Sequence, residues 1–272
     1  IKKGATYMKI ITFSAIKGGV GKTTITFNYA EWLSKKGKNV LLIDLDHQCN
    51  LTNIYLPVEK NNTIGEVFKD SSIASEVVVH KIKNNLSLIS GYIELDDLEK
   101  MIENQSKKEM LLYLWIKKNY KKFNFDQYDY ILIDTHPDFS TITKNAIAIS
   151  DIIISPITPS EHGYSAKFNL ETRLEKFKND IIDYSTGESY IDANLYFVGN
   201  LIKHNTKSSR ELLEHIQKDK TVIGLIPEKE LFNRATLEKK SIAEMKEDQA
   251  VYIKNKSFFN SIDETFLKIS SL

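Results

Sequence analysis

The chain has 272 residues and 42% hydrophobic residues, enough to bury one large core or two modest ones. Its single cysteine, Cys49, excludes a disulfide framework and is typical of a reducing cytosol. No apolar run reaches the ~18 residues that a membrane-spanning helix needs. The net charge of +1 gives no general electrostatic reason to bind nucleic acid.

The opening residues, IKKGATY, contain neither an initiator methionine nor the apolar region of a signal peptide. We therefore expect residues 1–7 to be a tag or leader remnant and the native chain to begin at Met8. No linker rich in proline, glycine or serine divides the remainder, so residues 8–272 are predicted to form a single domain.

Apolar runs alternate with helical patterns along the chain. Most of the runs are continuous, which is typical of strands buried on both faces of a parallel sheet. The predicted strands are residues 10–15, 39–44, 86–90, 130–134, 152–155, 194–199 and 222–226. The predicted helices lie near residues 22–36, 107–123, 141–150, 164–180, 207–217 and 257–269. The sequence thus predicts an α/β fold, a doubly wound, mostly parallel sheet flanked by helices, with ligands at the carboxyl ends of the strands.

The first predicted strand leads into the glycine-rich sequence KGGVGKTT and then into a helix. Glycines let the backbone turn tightly and aim N–H groups at an anion, and the helix places its positive dipole end there. Lys22 would reach the β- and γ-phosphates of a nucleotide, and the Thr23 hydroxyl would hold Mg²⁺. A dinucleotide-binding loop is disfavoured because it requires glycine at position 24. The predicted nucleotide-binding residues here are Gly18, Gly19, Val20, Gly21, Lys22, Thr23 and Thr24.

Two further strands end in acidic residues. Asp44 closes the second apolar run, where a carboxylate can face the γ-phosphate and orient a water for attack. Asp44 and Asp46 could instead be caps of a following helix. Asp134 follows four apolar residues, the Walker B arrangement, in which it would hold Mg²⁺ through a water shell.

These motifs resemble the ParA/MinD family of deviant-Walker ATPases. The general Walker pattern has glycine where Ile16 stands, whereas the family carries the early lysine found here as Lys17, which reaches across a dimer to the partner's nucleotide. The resemblance implies three catalytic residues, Lys17, Lys22 and Asp44, and two switch residues, Asp46 and Thr135. It also implies ATP and Mg²⁺ as cofactors.

The two acidic loops depart from the family pattern. His47 and His136 stand where the family usually has proline, and Cys49 stands where it has glycine. Because both histidines fall in switch loops, we expect that they can approach one another. A metal-binding or pH-sensing role is one interpretation, and simple replacement of a loop proline is the other.

The resemblance covers about residues 8–269 and is weakest over 52–125. Residues 145–161, including Glu161, resemble the segment after the second switch. Asn200 and Pro227 match the two segments that flank the adenine in the family, so the resemblance implies that both bind the nucleotide.

Several relatives are disfavoured by residue content. Iron–sulfur members need paired cysteines, and this chain has one cysteine. MinD-type proteins end in a basic amphipathic helix that lies on lipid. Here the last helical pattern carries an apolar stripe with Lys268 as its only basic residue, which favours a helix docked on the core and no membrane partner.

We therefore expect a short ParA-type partition ATPase similar to the Soj group, cytoplasmic and nucleoid-associated. The resemblance implies an ATP-dependent homodimer that binds DNA without sequence preference and hydrolyses ATP when a ParB-like centromere-binding protein stimulates it. Residues 201–256 hold 12 Lys/Arg and 9 Asp/Glu, a local basic excess that is either a DNA contact or a solvated face. The candidate DNA contacts are Arg234, Lys239, Lys240, Lys254 and Lys256.

Two other functions stay open at this point. One is a MinD-like or secretion-associated positioning ATPase that acts on a membrane or protein scaffold. The other is a small-molecule kinase or ligase, because the phosphate-binding loop alone indicates only a nucleotide triphosphate site.

Overall fold

The structure is a computed structural model that describes residues 8–69, 76–160, 163–203 and 206–272. Residues 1–7, the expected remnant, and Glu161 lie outside the described residues. The strands are β1 (Lys9–Phe13), β2 (Val40–Leu45), β3 (His80–Lys83), β4 (Leu86–Ile89), β5 (Tyr130–Thr135), β6 (Ile152–Ile157), β7 (Asn194–Ile202) and β8 (Val222–Pro227). The helices are α1 (Lys22–Lys35), α2 (Asn50–Tyr55), α3 (Glu66–Lys69), α4 (Leu95–Ile102), α5 (Leu111–Asn119), α6 (Thr141–Ile149), α7 (Gly163–Asp180), α8 (Lys207–Ile216), α9 (Glu230–Leu237), α10 (Ile242–Met245), α11 (Gln249–Lys254) and α12 (Lys256–Ser271).

The strands form one sheet in the order β3-β4-β2-β5-β1-β6-β7-β8. Every pairing is parallel except that of β3 with β4, which confirms the predicted doubly wound, mostly parallel sheet. β1 lies between β5 and β6, where the strand order reverses. Ligands of such sheets bind in the crevice at this switch point, so the loop after β1 is positioned to receive one.

Burial explains which strands the sequence reveals. All six residues of β2 and all six of β6 are buried, and each strand begins with a continuous apolar run. β3 was not predicted, because it is an edge strand of sequence HKIK whose two lysines are exposed. Lysine on an edge strand hinders pairing with another chain and also weakens the apolar signal.

The last helix, α12, packs its apolar stripe into the core, as predicted. Phe266 lies 5.2 Å from Tyr29 and 5.8 Å from Trp32 between ring centroids, and the Trp32 indole donates a hydrogen bond of 2.9 Å to Asp263. The buried members of the stripe are Phe258, Phe259, Ile262, Phe266 and Ile269. Across the described ranges, no helix combines the length and the apolar character needed to cross a membrane.

Six short helices were missing from the prediction: α2, α3, α4, α9, α10 and α11. None exceeds eight residues, which is too short for a clear helical period. Local caps hold some of them, such as the reciprocal hydrogen bonds between Ser241 and Glu244 at α10. The helix predicted near 107–123 is shorter than expected, because a 3₁₀ turn at Lys108–Met110 precedes α5.

Candidate nucleotide-binding site

The loop between β1 and α1 has the backbone of an anion cradle. Gly19 and Gly21 adopt positive φ values of 71° and 93°, which glycine tolerates and other residues rarely adopt. A Cβ atom on Gly21 would also overlap the Nδ2 atom of Asn200. Gly21 is the N-cap of α1, and no side chain among the described residues caps the first turn. The free N–H groups of that turn can therefore bind an anion.

Lys22 is nearly buried at the base of this loop, with 7% of its surface exposed. Burial lowers the pKa of its ammonium, while Asp134, Asp46 and Asp138 act in the opposite direction. The ammonium therefore lies among carboxylates in a site of low dielectric, where its attraction for a phosphate is strong.

Asp134, near the end of β5, is a buried carboxylate that lacks a full set of partners. Its Oδ2 atom has no hydrogen-bond partner among the described residues, and Thr26 Oγ1 lies 3.5 Å from Oδ1. Burial, together with repulsion from Asp44, raises its pKa to about 8, although the Thr23 hydroxyl lowers it. A carboxylate oxygen beside a threonine hydroxyl fits Mg²⁺, which prefers oxygen ligands. These residues therefore fit the implied cation.

The carboxylate of Asp44 is hydrogen-bonded to Thr52 of α2. Its Oδ2 atom accepts hydrogen bonds from the backbone N–H and the hydroxyl of Thr52, at 2.8 and 2.7 Å, and its Oδ1 atom accepts one from the N–H of Asp46 at 3.2 Å. Burial raises its pKa to about 6 in spite of these bonds. Asp44 thus caps the first turn of α2, whose own N-cap, Cys49, offers no side-chain bond.

The two acids after β2 therefore differ in what they face. A cleft of about 530 Å³ opens above the glycine-rich loop, and Asp46 lines it whereas Asp44 does not. The role of Asp44 in orienting the attacking water stays a prediction, and its carboxylate is fully buried and turned to α2. Of the two acids, Asp46 is the one that lines the cleft.

Residues of the loop and of four neighbouring segments line the cleft. Gly18, Gly19, Gly21, Lys22, Thr23 and Thr24 do so as predicted, whereas Val20 is buried beneath the loop. Six other lining residues were not predicted as site residues, although the first two and the proline stand in the acidic-loop motifs: Gln48, Asn50, Pro137, Asn53, Ile54 and Thr236.

Three residues implied by the resemblance do not line this cleft as the described residues form it. Asn200 is buried, and its amide donates a 2.7 Å hydrogen bond to the carbonyl of Val20, so it supports the loop from behind. Thr135 is buried and donates to the carbonyl of Phe13. Pro227 is half-buried at the end of β8.

The half-buried Lys17 also points away from its own cleft. Its Nζ atom lies 3.2 Å from Ser160 Oγ, and Lys17 does not line the cleft within the described residues. Cys49 is buried, and burial raises the pKa of its thiol to about 12, so it remains a neutral packing residue.

The candidate DNA contacts separate into two groups. Lys240, Lys254 and Lys256 are exposed. Arg234 pairs with Glu238 at 2.8 Å, and Lys239 donates to the carbonyl of Asn53 and lines the nucleotide cleft. All five candidates are exposed, and Lys239 is the one among them that lines the nucleotide cleft.

The two loop histidines lie side by side, as predicted. The ring centroids of His47 and His136 are 4.3 Å apart. Asp138, which sequence reasoning missed, lies 3.0 Å from His136 Nδ1. The sequence could have indicated Asp138, because it lies close to Ser140, the N-cap of α6, and acidic residues are favourable near the start of a helix.

Known proteins are similar to this chain. A family described as an AAA domain, AAA_31, matches residues 8–184, which include the glycine-rich loop and both acidic loops. An uncharacterized protein of Methanocaldococcus jannaschii, MJECL24, is 30% identical over 86% of this chain and 90% of that protein. The virulence plasmid ParA family protein pGP5-D of Chlamydia psittaci is 26% identical over 81% of this chain and 88% of that protein. This chain belongs to the ParA/Soj-type ATPase family. The sporulation initiation inhibitor Soj of Bacillus subtilis is 32% identical to this ParA-type chain over 55% of its length and 58% of Soj.

Solved structures agree with this assignment. The Borrelia burgdorferi B31 protein BB_S35, bound to AMPPNP, matches this ParA-type chain with a TM-score of 0.75 and 25% identity, over 98% of this chain and 99% of that one. The ATP complex of a Cyanothece McdA variant has the same fold, with a TM-score of 0.79 and 19% identity over 98% of each chain.

Proposed function

We propose that this chain is a partition ATPase that binds ATP with Mg²⁺ in the cleft above the glycine-rich loop. One observation carries the proposal: a buried ammonium (Lys22), a buried carboxylate with an unpartnered oxygen (Asp134) and a second carboxylate facing the cleft (Asp46) converge on the amino end of α1. The AMPPNP in the related Borrelia protein supports ATP as the nucleotide.

Each residue then has a distinct task. The N–H groups of the loop and the Lys22 ammonium hold the β- and γ-phosphates. The Thr23 hydroxyl and Asp134 hold Mg²⁺, which neutralises developing charge on the phosphates when bound. Asp46 orients the attacking water, and Asp44 positions the loop that carries Asp46 by capping α2.

Paired variants test this division between the acids. Asp46→Asn should retain ATP binding and lose hydrolysis by about 100-fold or more, the usual contribution of a positioned base. Asp44→Asn should leave hydrolysis within a few-fold of wild type, because asparagine keeps an acceptor for Thr52. Single-turnover hydrolysis and calorimetry measure both. A collapse of hydrolysis in Asp44→Asn with full turnover in Asp46→Asn would return the role to Asp44.

The proposal includes an ATP-dependent dimer. Lys17 lies outside the lining of its own cleft, which suits a side chain that contacts the nucleotide of a second subunit. Lys17→Ala should bind one ATP per chain yet fail to dimerise or hydrolyse. Light scattering with ATP decides this, and Lys81→Ala, an exposed lysine of β3, is the control. A Lys17→Ala protein that still dimerises with ATP contradicts the role in trans.

We propose that the dimer binds DNA on the nucleoid. A ParB-like protein is the partner that stimulates its ATP hydrolysis. The exposed lysines Lys240, Lys254 and Lys256 support this step, since dimerisation would place two such sets on one assembly. Replacing all three with alanine should weaken retention of random duplex and reduce the salt slope by about 0.9 for each phosphate that the variant no longer neutralises. Nucleotide affinity should not change, because none of the three lines the cleft.

The same assay addresses the scaffold alternative. No retention of duplex by the ATP-bound dimer at low salt would reject the partition function. ATP-dependent sedimentation with liposomes, in place of DNA, would then favour a positioning ATPase.

A further inference from the structure

Three metal-ligating side chains meet beside the nucleotide cleft. Asp46 and His47 follow β2, and His136 follows β5. These strands are neighbours whose last residues, Leu45 and Thr135, pair in register, so the two loops leave the sheet side by side. One carboxylate oxygen and one nitrogen from each imidazole lie within 4.8 Å of one another.

The carboxylate of Asp138 already orients the imidazole of His136. His136 Nδ1 lies 3.0 Å from Asp138 Oδ2, and in a neutral imidazole that donates this hydrogen bond Nε2 carries the lone pair that a metal ion needs. Asp138 is itself held by the N–H of Ser140 at 3.1 Å and by the Thr143 hydroxyl at 2.6 Å. A carboxylate that fixes the far nitrogen of a histidine is the usual support of a metal ligand.

The three groups are also within reach of a single ion. Tetrahedral zinc, with bonds of about 2.0–2.1 Å, needs ligand atoms roughly 3.4 Å apart. The side chains must therefore close by about 1.4 Å at most, which small torsional changes in loop residues achieve. His136 keeps 29% of its side chain exposed, so an ion can enter from solvent.

We propose that Asp46, His47 and His136 form a site for a divalent transition-metal ion of the Zn²⁺ or Co²⁺ class, with a fourth position open to water. Imidazole nitrogen suits these ions, whereas Mg²⁺ prefers an all-oxygen set. The ion links the two loops that follow β2 and β5, and it binds the carboxylate of Asp46. Inhibition of hydrolysis by the ion rests on the proposed function, whereas binding of the ion does not.

Binding is tested on tag-free, metal-stripped protein with excess Mg²⁺ present. Zn²⁺ calorimetry should give one site per chain, and Co²⁺ should give a visible absorption band typical of low coordination number. His47→Gln and His136→Gln should each weaken the affinity at least 100-fold, and Asp138→Asn about 10–100-fold. His215→Gln, an exposed histidine of α8, should bind as wild type does. Equal affinity in all four variants, or no binding by wild type, overturns the site.

Two further measurements keep the test independent of folding and of the ATPase proposal. X-ray absorption of the wild-type zinc complex should show two imidazole ligands, and a spectrum with none refutes the site without any variant. Zn²⁺ should inhibit ATP turnover of wild type but not of His47→Gln. A protein that binds Zn²⁺ through these residues but never hydrolyses ATP rejects only the proposed function. A protein that hydrolyses ATP but does not bind Zn²⁺ rejects only this inference.

Discussion

Replacing Asp134 with asparagine should stabilise the metal-free protein while removing its response to Mg²⁺. The carboxylate is fully buried with one unpartnered oxygen, and its pKa is raised from 3.8 to about 8. An acid whose pKa is higher in the folded state binds more protons when folded. The free energy of unfolding therefore falls as the pH rises from about 4 towards 8.

The size of this effect follows from the pKa. Each unit of pH between the unfolded and folded pKa values changes the free energy of unfolding by about 1.4 kcal/mol. From pH 5 to pH 7, Asp134 should therefore remove roughly 2–3 kcal/mol from wild type and nothing from Asp134→Asn. The buried Asp44, with a pKa of about 6, adds a smaller decline to both proteins.

Urea denaturation in EDTA at pH 5, 6 and 7 measures the difference, provided that the m-value is unchanged. Asp126→Asn, which changes an exposed carboxylate, is the control and should follow the wild-type profile. With ATP, added Mg²⁺ at about 100 times its Kd should stabilise wild type by ~2.7 kcal/mol and the variant by much less. Parallel pH profiles for wild type and Asp134→Asn would refute the reasoning.

Three further substitutions test the site. Lys22→Ala should abolish nucleotide binding in calorimetry while the fold is kept, because the ammonium contacts phosphate within its own subunit; undiminished affinity would contradict this role. Gly21→Ala should lose both nucleotide binding and at least about 1 kcal/mol of stability, since φ is 93° and the added Cβ overlaps Asn200, and a stable, ATP-binding variant would show that the loop relaxes. Thr52→Val removes the hydroxyl donor of the buried Asp44, so thermal unfolding should reveal a loss of about 2–4 kcal/mol, and a loss below about 0.5 kcal/mol would mean that this bond has little effect.

The sequence by itself was sufficient for seven of the eight described strands and for the glycine-rich loop. Buried parallel strands such as β2 and β6 need apolar residues on both faces, so their identity is visible in a short run of letters. The loop is equally local, because the positive φ values of Gly19 and Gly21 and the charge of Lys22 are requirements on single residues. Such features need no knowledge of which elements lie next to one another.

Tertiary structure decided the roles that depend on partners distant in the chain. Asp44 and Asp46 are two residues apart and chemically identical, and only the approach of Thr52 commits Asp44 to α2 and leaves Asp46 at the cleft. Lys239 belongs to the cleft because the turn after α9 brings it to Asn53, 186 positions earlier in the chain. His47 and His136 become neighbours through the pairing of β2 with β5. Proximity of this kind arises from packing between separate elements, so a pattern read along one segment cannot contain it. The approach of the two histidines could be expected only because the family resemblance places both in switch loops.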